Sequence, residues 1–433
     1  MSLPRAVVAL GFLVVACPRE SSGQIALGSE IAVNVYTSGD QDVPALAILP
    51  GGGFVAAWQS AGVDGDGTGV VARRFDSTGS GVGGEIPLST GVAGGQNLPA
   101  IGADSVGNFV ATWDSWAAPG DLSGYGVSAR LFAAAGTPAG AEALVNTHTS
   151  AFQHASDIAV GPAGDFAVVW QDDGQVNEAQ IYLRIFGANG SPATGEILVS
   201  DDAGFFRTAP AIARDSAGNL VVVWQAEEDG EQRNVYYRLY AADGDPITAG
   251  ALATETVATD QKTPDVAMRP TGEFVIVWQS YQQDGDGWGV YARRFDANGD
   301  PAAGQSRVNL GTVGNQVEPV VGVASNGTFA VAFRDTAHGG ILGRALSGAG
   351  TAYGGDFLIS DLTPYDEASP ALAMAANGDF TVAWTAAGYD GSGYSIRARR
   401  FVGDYLFRDS FESGDTQAWS GSVGSFAEAG AGE

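Results

Sequence analysis

Apolar and polar residues alternate along this chain in short runs with a period of two. In one such run Phe54, Ala56 and Trp58 share a face, and Val71, Arg73 and Phe75 share one in the next. No segment of useful length carries the 3.6-residue period of an amphipathic helix. The runs are punctuated by residues that tolerate tight turns, such as Pro270-Thr271-Gly272-Glu273 and Asp296-Ala297-Asn298-Gly299. Around those two turns the pattern predicts four strands, here called a to d: Asp265 to Met268, Phe274 to Gln279, Val290 to Phe295 and Ser306 to Asn309.

The pattern repeats. A motif of the form P-x(7)-G-x-F-x-x-x-W recurs every 51 to 57 residues and ends at Trp58, Trp113, Trp170, Trp224, Trp278, Phe333 and Trp384. Seven copies of a four-stranded meander predict an all-β fold, a seven-bladed β-propeller. The ends support a closed ring. Ser29 to Thr37 reads as a strand d lying before the first strand a, whereas the last copy stops after strand c at Phe401. The N-terminal strand, Ile31 to Tyr36, is therefore expected to complete the last blade by pairing with Ile396 to Phe401, removing the open edges of the array. The organisation expected is a signal peptide over 1–16, a tether over 17–28, the propeller over 29–401 and an acidic tail over 402–433.

Composition narrows the partners. The 433 residues include 21 Lys and Arg against 49 Asp and Glu, a formal charge of −28. Such a surface lacks the basic footprint of a nucleic-acid-binding protein and repels anionic lipid. The apolar run Ala6 to Ala16, after Arg5, is too short to span a bilayer and reads as a cleaved signal peptide, so the chain is expected to be exported without a transmembrane span. The only cysteine, Cys17, follows Val14-Val15-Ala16 in the manner of a lipoprotein acylation site. Ordinary signal cleavage would leave the same residue as a free thiol, so lipid-anchored and freely secreted forms both stand. A lone cysteine provides no disulfide, and the ring is expected to be monomeric.

Two resemblances accompany these features. Asn34 to Gly79, and equally the fifth copy from Asp260 to Gly299, resemble the repeat of large bacterial exported proteins that often also carry RTX-type calcium-binding repeats. Tyr405 to Ser420, YLFRDSFESGDTQAWS, is similar to a C-terminal extension found on diverse exported proteins of Gram-negative bacteria. The first resemblance implies export and a surface or extracellular role; neither implies a catalytic activity.

The remaining candidates lie in loops. Strand order places the b-to-c and d-to-a loops on one face. There Asp64-Gly-Asp66-Gly and Asp284-Gly-Asp286-Gly put two carboxylates on one side of a glycine-flexed turn, chemistry suited to Ca2+. The bidentate glutamate of a helix-loop-helix calcium site is missing, since Phe75 stands at the twelfth position counted from Asp64. Trp116, Tyr281, Trp288 and Tyr389 stand in the same loops and are the candidate ligand-binding residues, for an extracellular glycan or protein. One arginine per repeat on strand c, Arg73 through Arg399, reads as packing between blades, stacked on the strand b aromatic or paired with a carboxylate. His148, His154 and His338 read as scattered over different repeats, and no nucleophile motif appears. The chain therefore reads as a non-enzymatic binding or adhesion scaffold using an acidic loop face. The competing reading is a secreted glycan-acting hydrolase or lyase, which unrepeated carboxylates converging in the central channel would favour.

Overall fold

The computed structural model describes residues 26–403, apart from 92, 117, 119, 122–123, 175–178, 201–205, 228–231 and 362–365. The signal peptide, Cys17 and the C-terminal extension lie outside the described residues. Seven four-stranded antiparallel sheets follow one another along the chain, each in the spatial order a-b-c-d. Among the described residues there is no α-helix, and no helix is long and apolar enough to cross a membrane.

The a strands are Gln41–Ile48, Gln96–Ala103, Gln153–Val160, Phe206–Arg214, Gln261–Met268, Gln316–Val323 and Glu367–Met374. Each packs against the a strand of the next blade, and the seventh packs against the first, so together they wall a central channel. The last sheet takes its strand d from the N-terminus: Ile31 pairs with Ala398 and Ala32 with Arg397, flanked by Leu27 N–H to Arg400 O at 2.8 Å and Val33 N–H to Ile396 O at 3.0 Å. Ring closure is thus as the sequence predicts, although the regular pairing there spans only two residues.

Seven apolar clusters hold the ring, one at each junction between blades. At the junction of blades 1 and 2, for example, Val55, Ala57, Val70 and Ala72 meet Ala111, Trp113 and Phe132. At the closing junction Phe54, Ala56 and Trp58 meet Ala383, Ile396 and Ala398. Trp58, Trp113, Trp170, Trp278 and Trp384 are fully buried, which is why the motif keeps its tryptophan. The repeated arginines tie the same junctions. Arg73 donates to Val33 O at 2.9 Å, Arg184 to Val145 O at 2.6 Å, Arg293 to Ala253 O at 2.9 Å and Arg399 to Ile359 O at 3.0 Å, each reaching the strand d of the preceding blade. The guanidinium groups of Arg73, Arg184 and Arg293 lie over the aromatic two residues further along strand c, 5.2 Å from Phe75, 5.3 Å from Phe186 and 5.6 Å from Phe295. The stacking partner is thus on the arginine's own strand rather than on strand b, because residues i and i+2 share a face. The expected carboxylate pairing is present in some blades, with Arg293 2.9 Å from Glu255 and Arg399 3.1 Å from Asp361.

Each a strand carries an irregularity at its third or fourth residue. Val43, Leu98, Ala155, Ala209, Thr263, Glu318 and Ser369 all take positive φ, between 49° and 55°. This conformation is costly for a residue with a Cβ and persists only where the surroundings impose it. Here the N–H of the irregular residue is captured by a side chain from the preceding blade: Leu98 by Gln59 at 3.1 Å, Ala155 by Asp114 at 2.9 Å, Thr263 by Gln225 at 2.8 Å and Glu318 by Gln279 at 3.0 Å. Val43, captured by Thr385 of blade 7 at 3.1 Å, closes this second ring of contacts.

Candidate active site at the axial mouth

The upper end of the channel is formed where the a strands begin and the b strands end. In this zone the blades stop resembling one another. The second residue of strand a, or its counterpart, is Asp42, Asn97, His154, Thr208, Lys262, Val317 or Ala368. The cross-strand partner on strand b is Gln59, Asp114, Gln171, Gln225, Gln279, Arg334 or Thr385. Lys262, the one lysine of the whole sequence, sits here.

The rim of blade 3 is the richest corner. His154 Nε2 lies 3.1 Å from Asp173 Oδ2, while the Gln171 amide donates to Asp173 Oδ1 at 2.8 Å and lies 3.2 Å from His154 Nε2. With Gln171 donating to the carboxylate, the tautomer that satisfies Asp173 carries its proton on Nε2. Nδ1 is then an acceptor, with no protein partner among the described residues. Six residues upstream, His148 Nδ1 lies 3.1 Å from Asp172 Oδ2, and Asp172 Oδ1 accepts the Gly174 N–H at 2.8 Å. The two histidines, read from the sequence as scattered, are both placed against the end of one b strand, Phe166–Asp172. At the same level in blade 2 burial pushes the Asp114 carboxyl up to about 7, against the lowering effect of the Ala155 and Ser156 N–H groups.

Two further carboxyls line the channel at one level, on the fifth residue of strand a in blades 3 and 5. Asp157 accepts the Ile212 N–H of blade 4 and Asp265 the Val321 N–H of blade 6, at 2.8 and 2.7 Å. Blades 1, 2, 4, 6 and 7 carry Ala45, Ala100, Ala211, Val320 and Ala371 at the matching cross-strand positions. Burial raises Asp157 to about 6. Burial also raises Asp265, to about 7, with the charge of Asp157 adding to the effect. Both stand on the face shared with the rim residue above them, so His154 and Asp157 form one column on strand a of blade 3.

The cations of this face are engaged. Lys262 Nζ lies 2.6 Å from Asp260, Arg233 lies 2.8 Å from Glu227, and Arg334 lies 2.7 Å from Asp366 and 3.6 Å from Glu318.

The four candidate ligand-binding aromatics are spread over three blades. Trp116 is exposed in blade 2. Tyr281 and Trp288 face each other in blade 5 with their rings 5.1 Å apart, and Tyr389 lies in blade 7 with the Arg397 guanidinium 4.6 Å from its ring. The carboxylates considered for Ca2+ accept hydrogen bonds from their own turn and from neighbouring loops. Asp64 Oδ1 accepts the Asp66 N–H at 3.2 Å and Asp66 Oδ2 the Gly94 N–H at 3.2 Å. Asp286 Oδ2 likewise accepts the Gly314 N–H at 3.2 Å, and Asp284 Oδ2 accepts from the Asn309 amide at 3.2 Å. Among the described residues no group of three or more His, Cys, Asp or Glu side chains is placed to hold a metal ion.

No family model matches the chain, and no curated protein matches it. Many solved structures share its fold. A polysaccharide lyase aligns over 88% of this chain and 100% of its own, with 10% identity and a TM-score of 0.56. A protein of unknown function from Dyadobacter fermentans aligns over 88% and 99%, with 12% identity and a TM-score of 0.54. A puromycin hydrolase aligns over 88% of this chain and 57% of its own, with 14% identity and a TM-score of 0.51. At these identities the likeness is one of fold. It nevertheless corrects the expectation that the chain is not an enzyme. That expectation rested on the lack of a linear catalytic motif, whereas a ring of this fold also occurs in a polysaccharide lyase and as part of a hydrolase.

Proposed function

We propose that this chain is an exported glycan-acting enzyme that cleaves glycosidic bonds at the axial mouth of the ring. The observation that carries the reading is the convergence there of acid–base groups that no other blade repeats: the His154–Asp173 pair above, and the Asp157 and Asp265 carboxyls below. Asp157 and Asp265, which burial raises to about 6 and about 7, are carboxyls of the kind proton transfer requires. Export rests on the apolar leader Ala6 to Ala16 of the sequence.

Hydrolysis fits this mouth better than elimination. Eliminative cleavage takes an acidic sugar and needs a cation to neutralise its carboxylate. The cations of this face are already bonded to Asp and Glu, and a chain of net charge −28 repels a polyanion. In the hydrolytic scheme Nδ1 of His154 takes a proton from water, whose oxygen bonds to the anomeric carbon. The glycosidic C–O bond breaks, and its oxygen receives a proton from Asp265, a carboxyl that keeps its proton near neutral pH.

The test is cleavage of uncharged polysaccharides, followed by release of reducing ends, beside acidic polysaccharides followed by the ultraviolet absorbance of an unsaturated uronate. Reducing ends without the unsaturated product, lost in His154→Gln, is the expected result. Cleavage of neither class, or full turnover in His154→Gln, overturns the proposal.

A further inference from the structure

Beside the His154–Asp173 pair three aromatic rings meet at the surface. Trp116 ends strand b of blade 2, Tyr125 begins the facing strand c, and Phe152 lies in the loop two residues before His154. Trp116 and Tyr125 pack edge to face with centroids 5.2 Å apart. Phe152 stands 6.5 Å from Trp116 and 6.1 Å from Tyr125. Trp116 and Phe152 remain 44% and 43% exposed.

These rings are held in place rather than loosely displayed. A Cβ on Gly94 would come within 2.5 Å of Trp116, and one on Gly124 within 2.7 Å of Phe152, so both positions require glycine for the rings to lie where they do. Ala151 takes φ of 63°, a strained conformation outside the set shared by the seven blades, and it aims the segment carrying Phe152. The Asn97 amide donates to the Tyr125 hydroxyl at 3.3 Å, and the Phe152 carbonyl accepts the Asp173 N–H at 2.9 Å, which couples the aromatic group to the rim.

Elsewhere among the described residues Tyr281 and Tyr394 are exposed without a third ring in contact, and Trp288 and Tyr389 each carry a cation. In blade 5 the Lys262 ammonium lies 5.2 Å from the Trp288 ring centre, and in blade 7 Arg397 lies over Tyr389. The blade 2 group is paired with no such cation among the described residues. Three rings present far less than the roughly 1,000 Å² that a stable protein interface needs, but they match the flat apolar face of one or two sugar rings, with amide and hydroxyl donors at the edge.

We propose that Trp116, Tyr125 and Phe152 form a stacking subsite for an uncharged sugar residue of the substrate, laying the glycan from the junction of blades 2 and 3 over the rim of blade 3 so that its scissile bond reaches His154. The proposal rests on the glycan-cleaving reading above for its ligand class, and its test is separate. Binding of soluble β-glucan, arabinan and galactan is measured by calorimetry and affinity electrophoresis, using full-length chain made inactive by His154→Gln. Trp116→Ala and Phe152→Ala in that background should each weaken binding at least tenfold, Trp116→Phe should restore most of it, and Tyr281→Ala should leave it unchanged, all with unaltered melting. Equal affinity in all variants, or no binding of any of the three glycans by the parent, overturns the subsite. Loss of binding in Trp116→Ala together with undiminished turnover in His154→Gln leaves the subsite standing and removes the acid–base assignment. Lost turnover in His154→Gln with normal binding in Trp116→Ala does the reverse.

Discussion

The walls between blades and the mouth of the channel are built from the same strands, yet they treat the repeat in opposite ways. In the walls the copies agree: five of the seven motif positions carry a fully buried tryptophan, and the strand c arginines reach the carbonyls of the preceding blade. Immediately beyond the tryptophan level the agreement ends: His154 and Lys262 hold one position of strand a in different blades, and Asp114 and Arg334 hold its cross-strand partner position on strand b. A group needed at every junction has to recur seven times. A group that performs chemistry at one point of a ring has to break the symmetry. Departure from the repeat is therefore the better guide to a site, and conformity to it the better guide to stability.

This contrast can be broken most directly by Trp278→Ala, which should cost about 3–5 kcal/mol as a large buried ring is lost. A chemical denaturation midpoint that scarcely moves would show that the walls tolerate voids. Asp265→Asn should act in the opposite sense, lowering turnover about 100-fold or more while leaving the fold intact. With Asp265 as the acid, activity in the parent should decline as pH rises through about 7. The substitution acts on stability in the opposite direction from activity. A carboxyl whose folded pKa lies above its ordinary 3.8 favours the folded state fully at low pH and loses that contribution as pH rises through about 7, so the asparagine variant should melt higher than the parent in mild alkali. A variant that loses both activity and stability there would place Asp265 in the wall rather than the site.

Arg293→Ala should destabilise by roughly 1–3 kcal/mol, since it leaves the Ala253 carbonyl without its donor; calorimetric melting checks this, and turnover should not follow it. The smallest expected effect is at Glu367, which stands where five other blades carry glutamine and is buried beside Ser360, Trp384 and Glu30. Burial pushes it up from 4.5 to about 7, so its contribution is present below pH 4.5 and lost as pH climbs through 7. Glu367→Gln should flatten that part of the stability profile, and an unchanged profile would mean that the carboxyl does not titrate with folding.

Much of the fold was legible because a period of about 55 residues with fixed offsets leaves few architectures, and because the unmatched strands at the two ends fit one another. Local detail was less so. Alternation starts strand a of blade 5 at Asp265, whereas it begins at Gln261; the positive φ of Thr263 shifts the faces, so the residues before it fall out of phase. The site was mostly hidden for a related reason. His154 and Asp173 lie nineteen positions apart, and only the hairpin between strands a and b brings them together. Asp157 and Asp265 stand at a position that is alanine or valine in the other blades, a signal available by laying the copies over one another but not from any single motif. Of the aromatics marked in the loops, Trp116 belongs to a cluster whose other members, Tyr125 and Phe152, are ordinary strand and loop residues until the blades are set side by side.

The borrowed strand of the last blade has a consequence in time. Within a blade every pairing joins residues close in the chain, so each can form as its own segment is completed. The seam is different: Arg397 reaches Glu30 across 367 positions. By loop-closure entropy that contact costs about 2 kcal/mol more than one spanning a single repeat, and nothing within the seam repays it until all seven blades are stacked. The ring's first strand in chain order is thus the last to find its place, and until it does the ring is an arc whose two unfinished edges belong to each other.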